Sequence, residues 1–107
     1  MAKIIWTEPA LSDLKDVAEY IALDKLGAAK RFVNNAFSIV DRLEKFPDSG
    51  RKSPELKRSR YKEVIANPCR IFYRFDNKKD VVYVLFVMRS ERQLLKYMLE
   101  ARGTEYS

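Results

Sequence analysis

Apolar residues recur along the first half of the chain at the three- and four-residue spacing of a helix, and along the second half in the short runs of strands. Lys3 to Trp6 is β-branched and aromatic and predicts a strand. Thr7 then offers an N-cap, and Pro9 falls in the first helical turn, where its missing N–H has no acceptor to lose. Leu11, Leu14, Val17, Ala18, Ile21 and Ala22 form one apolar stripe, which leaves Asp13, Lys15, Asp16 and Glu19 facing water. Asp24-Lys25-Leu26-Gly27 breaks the pattern. A second stripe runs from Ala29 through Phe32, Val33, Ala36, Val40 and Leu43 to Phe46, and Pro47-Asp48-Ser49-Gly50 ends it. Two amphipathic helices on so short a connection predict an antiparallel hairpin whose apolar face needs a second surface.

Gly50 to Arg60 is polar, carries five positive charges and one negative, and predicts a loop anchored by Leu56. Three β-rich runs follow, Tyr61 to Ala66, Arg70 to Asp76 and Val81 to Met88, separated by Asn67-Pro68 and by Asn77-Lys78-Lys79-Asp80. They predict an antiparallel meander. The last run is apolar on both faces, which suits an interior strand. Ser90 with Gln93 forms a capping-box pattern for a short final helix through Leu94, Leu95 and Met98 that Gly103 ends, with Arg89, Glu91 and Arg92 at its start and a loose tail beyond Thr104. The fold class expected is α+β: an N-terminal strand and a helical hairpin packed on a small, mainly antiparallel sheet, in the order β-α-α-β-β-β-α.

Length adds that residues 1–107 make one domain with one core. No run of about 18 apolar residues and no signal-like N-terminus is present, so the expectation is a cytoplasmic chain that does not enter a membrane. Cys69 is the single cysteine and histidine is absent, so neither an internal disulfide nor a Cys/His zinc site can form, and no metal or cofactor is expected. Cys69 reads as structural and Trp6 as a core residue. The net charge of +6, from 21 Lys and Arg against 15 Asp and Glu, fits an acidic partner or simply a soluble surface.

The element order, together with Trp6-Thr7, Ala10, Leu14, Tyr20-Ile21, Leu43, Pro47, Gly50-Arg51, Pro54-Glu55-Leu56, Arg70-Ile71-Phe72-Tyr73-Arg74, Val87 and Arg89, resembles the ParE/RelE toxins of type II toxin-antitoxin systems over nearly the whole chain. The resemblance implies a toxin of a plasmid-stabilisation system, neutralised by a cognate antitoxin whose disordered, acidic tail folds over hairpin and sheet. It also implies one of two activities. RelE-like toxins resemble metal-independent ribonucleases that cut messenger RNA on the ribosome, which requires a base, an acid and cations around the scissile phosphate. ParE-like toxins poison DNA gyrase by binding it.

On the nuclease alternative, the residues at the matching positions are Lys62, Glu63, Arg70 and Arg89. That set is incomplete: histidine is missing, a lysine pair is reduced to Lys62-Glu63, and Leu95 stands where a tyrosine is expected, with Tyr97 two residues on. The longer hairpin and the Gly50 to Leu56 stretch favour the ParE-like, non-enzymatic reading. Residues expected to contact target or antitoxin are Arg51, Arg60, Arg70, Arg74, Arg89 and Arg92. Strand alternation puts Arg70 and Arg74 on one face with Phe72 and Asp76, either as a basic binding surface or paired to acids such as Asp76 and Glu63 across strands.

Overall fold

The computed structural model describes residues 1–55, 60–94 and 96–103, and of Lys96 and Tyr97 the backbone alone. The expectations for Leu56, Leu95, the Tyr97 side chain and the tail from Thr104 lie outside the described residues. Strand β1 (Lys3–Trp6) leads into helices α1 (Glu8–Ala22) and α2 (Leu26–Asp41), and α2 tightens into a 3-10 turn at Arg42–Glu44. Strands β2 (Arg51–Lys52), β3 (Tyr61–Ala66), β4 (Cys69–Asp76) and β5 (Val81–Arg89) follow, and α3 (Lys96–Gly103) closes the described fold. The sheet order is β1-β5-β4-β3-β2. β1 runs parallel to β5, and the other pairs are antiparallel. The α+β architecture expected from the residue pattern is the one observed.

The N-cap of α1 is the one its sequence predicts. Thr7 is extended, its Oγ1 accepts from the Ala10 N–H at 3.4 Å and donates to the Val84 carbonyl at 2.7 Å, so one side chain starts the helix and ties it to β5. The hairpin covers one face of the sheet. Leu14, Phe32, Ala36, Val40 and Leu43 pack there against Ile71, Tyr73, Val82, Val84 and Val87. Trp6 stacks obliquely on Phe37 at 4.9 Å between ring centroids, which makes it a packing residue.

The other face carries Tyr61, Phe72, Tyr83, Leu85, Phe86 and Met88 beneath Leu94 and Leu99. β5 therefore packs on both sides, as its unbroken apolar run requires. A register shift where Phe72 pairs with Phe86 and Tyr73 with Val84 turns both Leu85 and Phe86 to this second face.

Several expectations need correction. Leu11 leaves the apolar stripe of α1 and is 41% exposed, and Leu26-Gly27 belongs to α2 rather than to the break before it. Arg51-Lys52 is not loop: it pairs with Glu63 and Lys62 as a fifth strand, two residues long and too short to show a period. Ser90 does not cap the last helix. Its N–H donates to the Pro68 carbonyl at 2.9 Å, Arg92 N–H donates to Arg89 O, and α3 begins only at Lys96, because the chain turns first to bring Leu94 onto the sheet. Arg89 is consequently the last residue of β5, and Glu91 and Arg92 lie in the turn.

Asp13 does not face water. Its Oδ2 accepts from the Val87 N–H at 3.0 Å, and both carboxylate oxygens receive the Arg102 guanidinium, which also donates to Leu85 O and lies 3.7 Å over the Phe86 ring. Helical periodicity cannot register an acceptor required by the irregular stretch of β5. Phe46 leaves the apolar stripe, 63% exposed, because α2 has already given way to the 3-10 turn.

Candidate functional site

The alternation of β4 decides where its cations go. Cys69, Ile71, Tyr73 and Phe75 point to the hairpin, and Arg70, Phe72, Arg74 and Asp76 point to the α3 side. A guanidinium on a covered face must find partners, since burying an unpaired charge costs several kcal/mol, about 3–5 when one member of a buried pair is removed. Arg70 finds three. Its Nη1 and Nη2 donate to Glu55 Oε1 and Oε2 at 3.0 and 2.9 Å, Nη1 also reaches Glu63 Oε1 at 3.4 Å, and Nη2 donates to the Arg92 carbonyl at 3.0 Å. The group lies 5.1 Å over the Phe72 ring.

Glu63 has a fully buried side chain and lies between two guanidiniums, because its Oε2 accepts from Arg51 Nη2 at 3.1 Å. Glu55 is the other hub. Besides Arg70 it accepts from the Ser53 hydroxyl at 2.9 Å and from the Leu94 N–H at 3.1 Å. The Arg70 guanidinium, helped by those two donors, holds the Glu55 carboxyl down from 4.5 to about 2. Four chain segments thus meet on one guanidinium: β3, β4, the stretch after β2 and the turn before α3.

A pH effect follows from the Glu55 shift. A carboxylate depressed in the folded state contributes stability that is complete above its unfolded pKa and disappears as pH falls through the folded one. The thermal midpoint should accordingly fall between about pH 4.5 and about pH 2. Glu55→Gln should start from a lower midpoint at pH 7 and show a shallower acid decline. Parallel pH curves for the two proteins would remove Glu55 from the account.

The remaining arginines are dispersed. Arg74 pairs with Asp76 at 3.9 Å and lies 5.0 Å over Tyr83, on the same face as Arg70 and buried like it. Arg60, just ahead of β3, lies 5.5 Å from the ring centroid of Tyr61, a residue of the α3 side. Arg51 is 56% exposed while holding Glu63, and Arg92 is exposed. Arg89 belongs elsewhere. It extends from the end of β5, on the hairpin side, bonded through Nε to Glu91 at 2.7 Å and 5.7 Å from the Tyr20 ring centroid. Of the six arginines singled out in the sequence, Arg51 and Arg70 meet on Glu63, Arg92 joins them through its backbone carbonyl, Arg74 shares the face of Arg70, and Arg89 does not.

The four groups of the nuclease alternative are not assembled. Lys62 and Glu63 are neighbours on β3 and so point to opposite faces, Lys62 to Asp48 at 3.3 Å and Glu63 into the network. Lys62 pairs with Tyr73 and Arg89 with Cys69, on strands either side of β4. Standard strand geometry separates their backbones by roughly 13 Å along the sheet and about 10 Å across it. Among the described residues no three His, Cys, Asp or Glu side chains gather in a position to hold a metal. Burial pushes the Cys69 thiol up to about 11, which keeps it protonated and unreactive.

Residue types alone did not single out Glu55, Ser53, Asp13 or Arg102 as organising groups. For Glu55 the signals available are its place as the sole acid among five cations between Gly50 and Arg60 and its membership of the Pro54-Glu55-Leu56 mark of the resemblance. Outside the network, the exposed side of the hairpin holds a groove of about 470 Å³ floored by Ala18, Ala22, Ala29 and Val33 and edged by Lys15 and Lys30. Among the described residues no helix is long and apolar enough to cross a membrane.

Known proteins resemble this chain in sequence and in fold. Residues 4–94 match the family described as the ParE toxin of the type II toxin-antitoxin system parDE. A protein of Sinorhizobium fredii (strain NBRC 101917 / NGR234) bearing the name of a candidate toxin, Y4kP, is 31% identical over 93 residues, covering 87% of this chain and 96% of its own. The chromosomal ParDE system of P. aeruginosa contains a chain that superposes with a TM-score of 0.69 at 21% identity, over 85% of this chain and 98% of that one. The isolated E. coli RelE toxin superposes with a TM-score of 0.56 at 19% identity, over 98% of this chain and 99% of the other. Sequence match and architecture agree: the chain belongs to the ParE toxin family of type II toxin-antitoxin systems.

Proposed function

We propose that this toxin acts by binding and inhibiting DNA gyrase in the cytoplasm, in a plasmid-stabilisation role, and that a cognate antitoxin neutralises it by covering the hairpin and the cationic rim of the sheet. One observation carries the choice of a binding activity over RNA cleavage. The candidate base Glu63 and the candidate phosphate ligand Arg70 face each other in a covered network, while Lys62 and Arg89 lie on the other face of the sheet. A phosphate cannot meet all four at once. Of the six arginines singled out, Arg51, Arg60, Arg89 and Arg92 have access to a macromolecule, and Arg70 and Arg74 act through them by fixing the surface that presents them.

Purified toxin should block supercoiling by gyrase, and stoichiometric antitoxin should restore it. Complete supercoiling at large toxin excess, together with messenger RNA cleavage on translating ribosomes, would overturn the proposal in favour of a RelE-like endonuclease. Charge reversal at Arg51 and Arg92 together should weaken inhibition by at least about tenfold, since removing an arginine from an interface costs on the order of 1 kcal/mol or more and a reversed charge adds repulsion.

A further inference from the structure

The Glu55 carboxylate fills a site made by other parts of the chain. Arg70 offers both terminal nitrogens in parallel, at 3.0 and 2.9 Å, and the Leu94 N–H adds a third donor at 3.1 Å. This is the fork-plus-amide arrangement that recognises a planar oxyanion, in a position where the arginine is only 7% exposed and its field is little screened. The arginine of this site does not depend on the occupant. Arg70 is independently held by Glu63 Oε1, by the Arg92 carbonyl and by the Phe72 ring. The occupant, by contrast, stands outside every strand and helix, on the stretch that follows the two-residue β2, and keeps 25% of its side chain exposed.

Removal of Glu55 would leave Arg51 and Arg70 facing Glu63 alone, a local excess of one positive charge beside the exposed Arg92. We propose that Arg70 and the Leu94 amide form a carboxylate-binding cradle that Glu55 occupies in cis, so that the Ser53 to Glu55 stretch is a latch which an Asp or Glu side chain of an acidic protein segment can displace. A two-pronged contact suits carboxylate and phosphate alike; the carboxylate of Glu55 already seated on both nitrogens is the ground for assigning the former. Intramolecular attachment gives Glu55 a high effective concentration, which closes the site to free anions and reserves it for a partner already bound nearby.

Sodium formate tests this, read against sodium chloride at the same ionic strength so that screening cancels. Glu55→Ala should gain a saturable rise in thermal midpoint, roughly 5 °C at about ten times the dissociation constant, and formate should move the guanidinium nitrogen resonances of Arg70. The wild-type chain should need about 100-fold more formate or show no rise. If Glu55→Ala is unfolded without anion, the same titration should restore its near-ultraviolet circular dichroism. Equal effects of formate and chloride on the variant, or shifts confined to exposed arginines, would overturn the cradle. A response to sulfate and none to formate would overturn the carboxylate assignment in favour of phosphate-bearing ligands. None of these readings depends on gyrase, so the cradle and the proposed target stand or fall separately.

Discussion

Arg70→Met should destabilise the fold by about 3–5 kcal/mol, the usual cost of removing one partner from a buried ion pair. The methionine fills much of the volume but leaves Glu63, whose side chain has no exposure, with Arg51 as its remaining cation in the network, and leaves Glu55 bonded to Ser53 and Leu94 only. It also strips the Arg92 carbonyl of its donor, loosening the turn before α3. For a chain of this length the thermal midpoint should drop by roughly 15 °C or more. The loss should be strongly non-additive. Adding Glu55→Gln and Glu63→Gln to Arg70→Met removes the stranded carboxylates and should recover a large part of it. Urea unfolding of the three proteins measures both effects. A single substitution within about 1 kcal/mol of wild type would mean that the network is wetter or weaker than its geometry implies.

Gly50→Ala should be the next most damaging small change, although it adds one methyl group. A Cβ at this position would stand 2.6 Å from Tyr73 Cε1 and 2.9 Å from the Glu63 carbonyl oxygen, and closer still to the Tyr73 hydroxyl. Neither neighbour can easily retreat. Tyr73 is fully buried, and its hydroxyl accepts from Gly50 N–H at 2.9 Å and donates to Pro47 O at 2.8 Å; the Glu63 carbonyl is backbone in the middle of the sheet. Overpacking of this kind costs about 1–3 kcal/mol, and loss of the hydroxyl's bonds adds about 1 kcal/mol. In a Tyr73→Phe background the hydroxyl is already gone, so Gly50→Ala should cost less there than in the wild-type chain. Equal costs in both backgrounds would place the strain on the Glu63 carbonyl alone, and no cost in either would show that the Gly50 turn moves freely.

Both predictions concern contacts that are distant in sequence, and the same property separates what was legible in the chain from what was not. Bounds for β1 and β3 read from the residue pattern coincide with those observed, and β4 and β5 each differ by one residue, because strand runs and the turns between them are local signals. The Thr7 cap and the start of α1 were readable for the same reason. Failures lie where a local motif competed with a distant contact. The Ser90 to Gln93 pattern is a sound capping box, yet the strand before it delivers Ser90 to Pro68 and Leu94 to the second core, and the helix waits until Lys96.

The site divides along the same line. Alternation alone placed Arg70 and Arg74 on one face, and an ionic pairing of Arg70 with Glu63 was among the readings the residues allowed. Glu55 as the main partner was not foreseeable, since it is 15 residues from Arg70 and 39 from the Leu94 amide it accepts from. Nor could the sequence separate Arg89 from the other arginines, a separation that arises because β5 passes through a register shift before it ends.

By itself, the order of residues determined the two long helices and four of the five strands, which faces are apolar and hence the class of fold, all properties set by neighbours within a few positions. Only the tertiary structure decided which charges neutralise one another and which remain available to a partner. An ion pair depends on the inverse distance between two groups and on the water left around them, and neither quantity exists until the chain has closed upon itself.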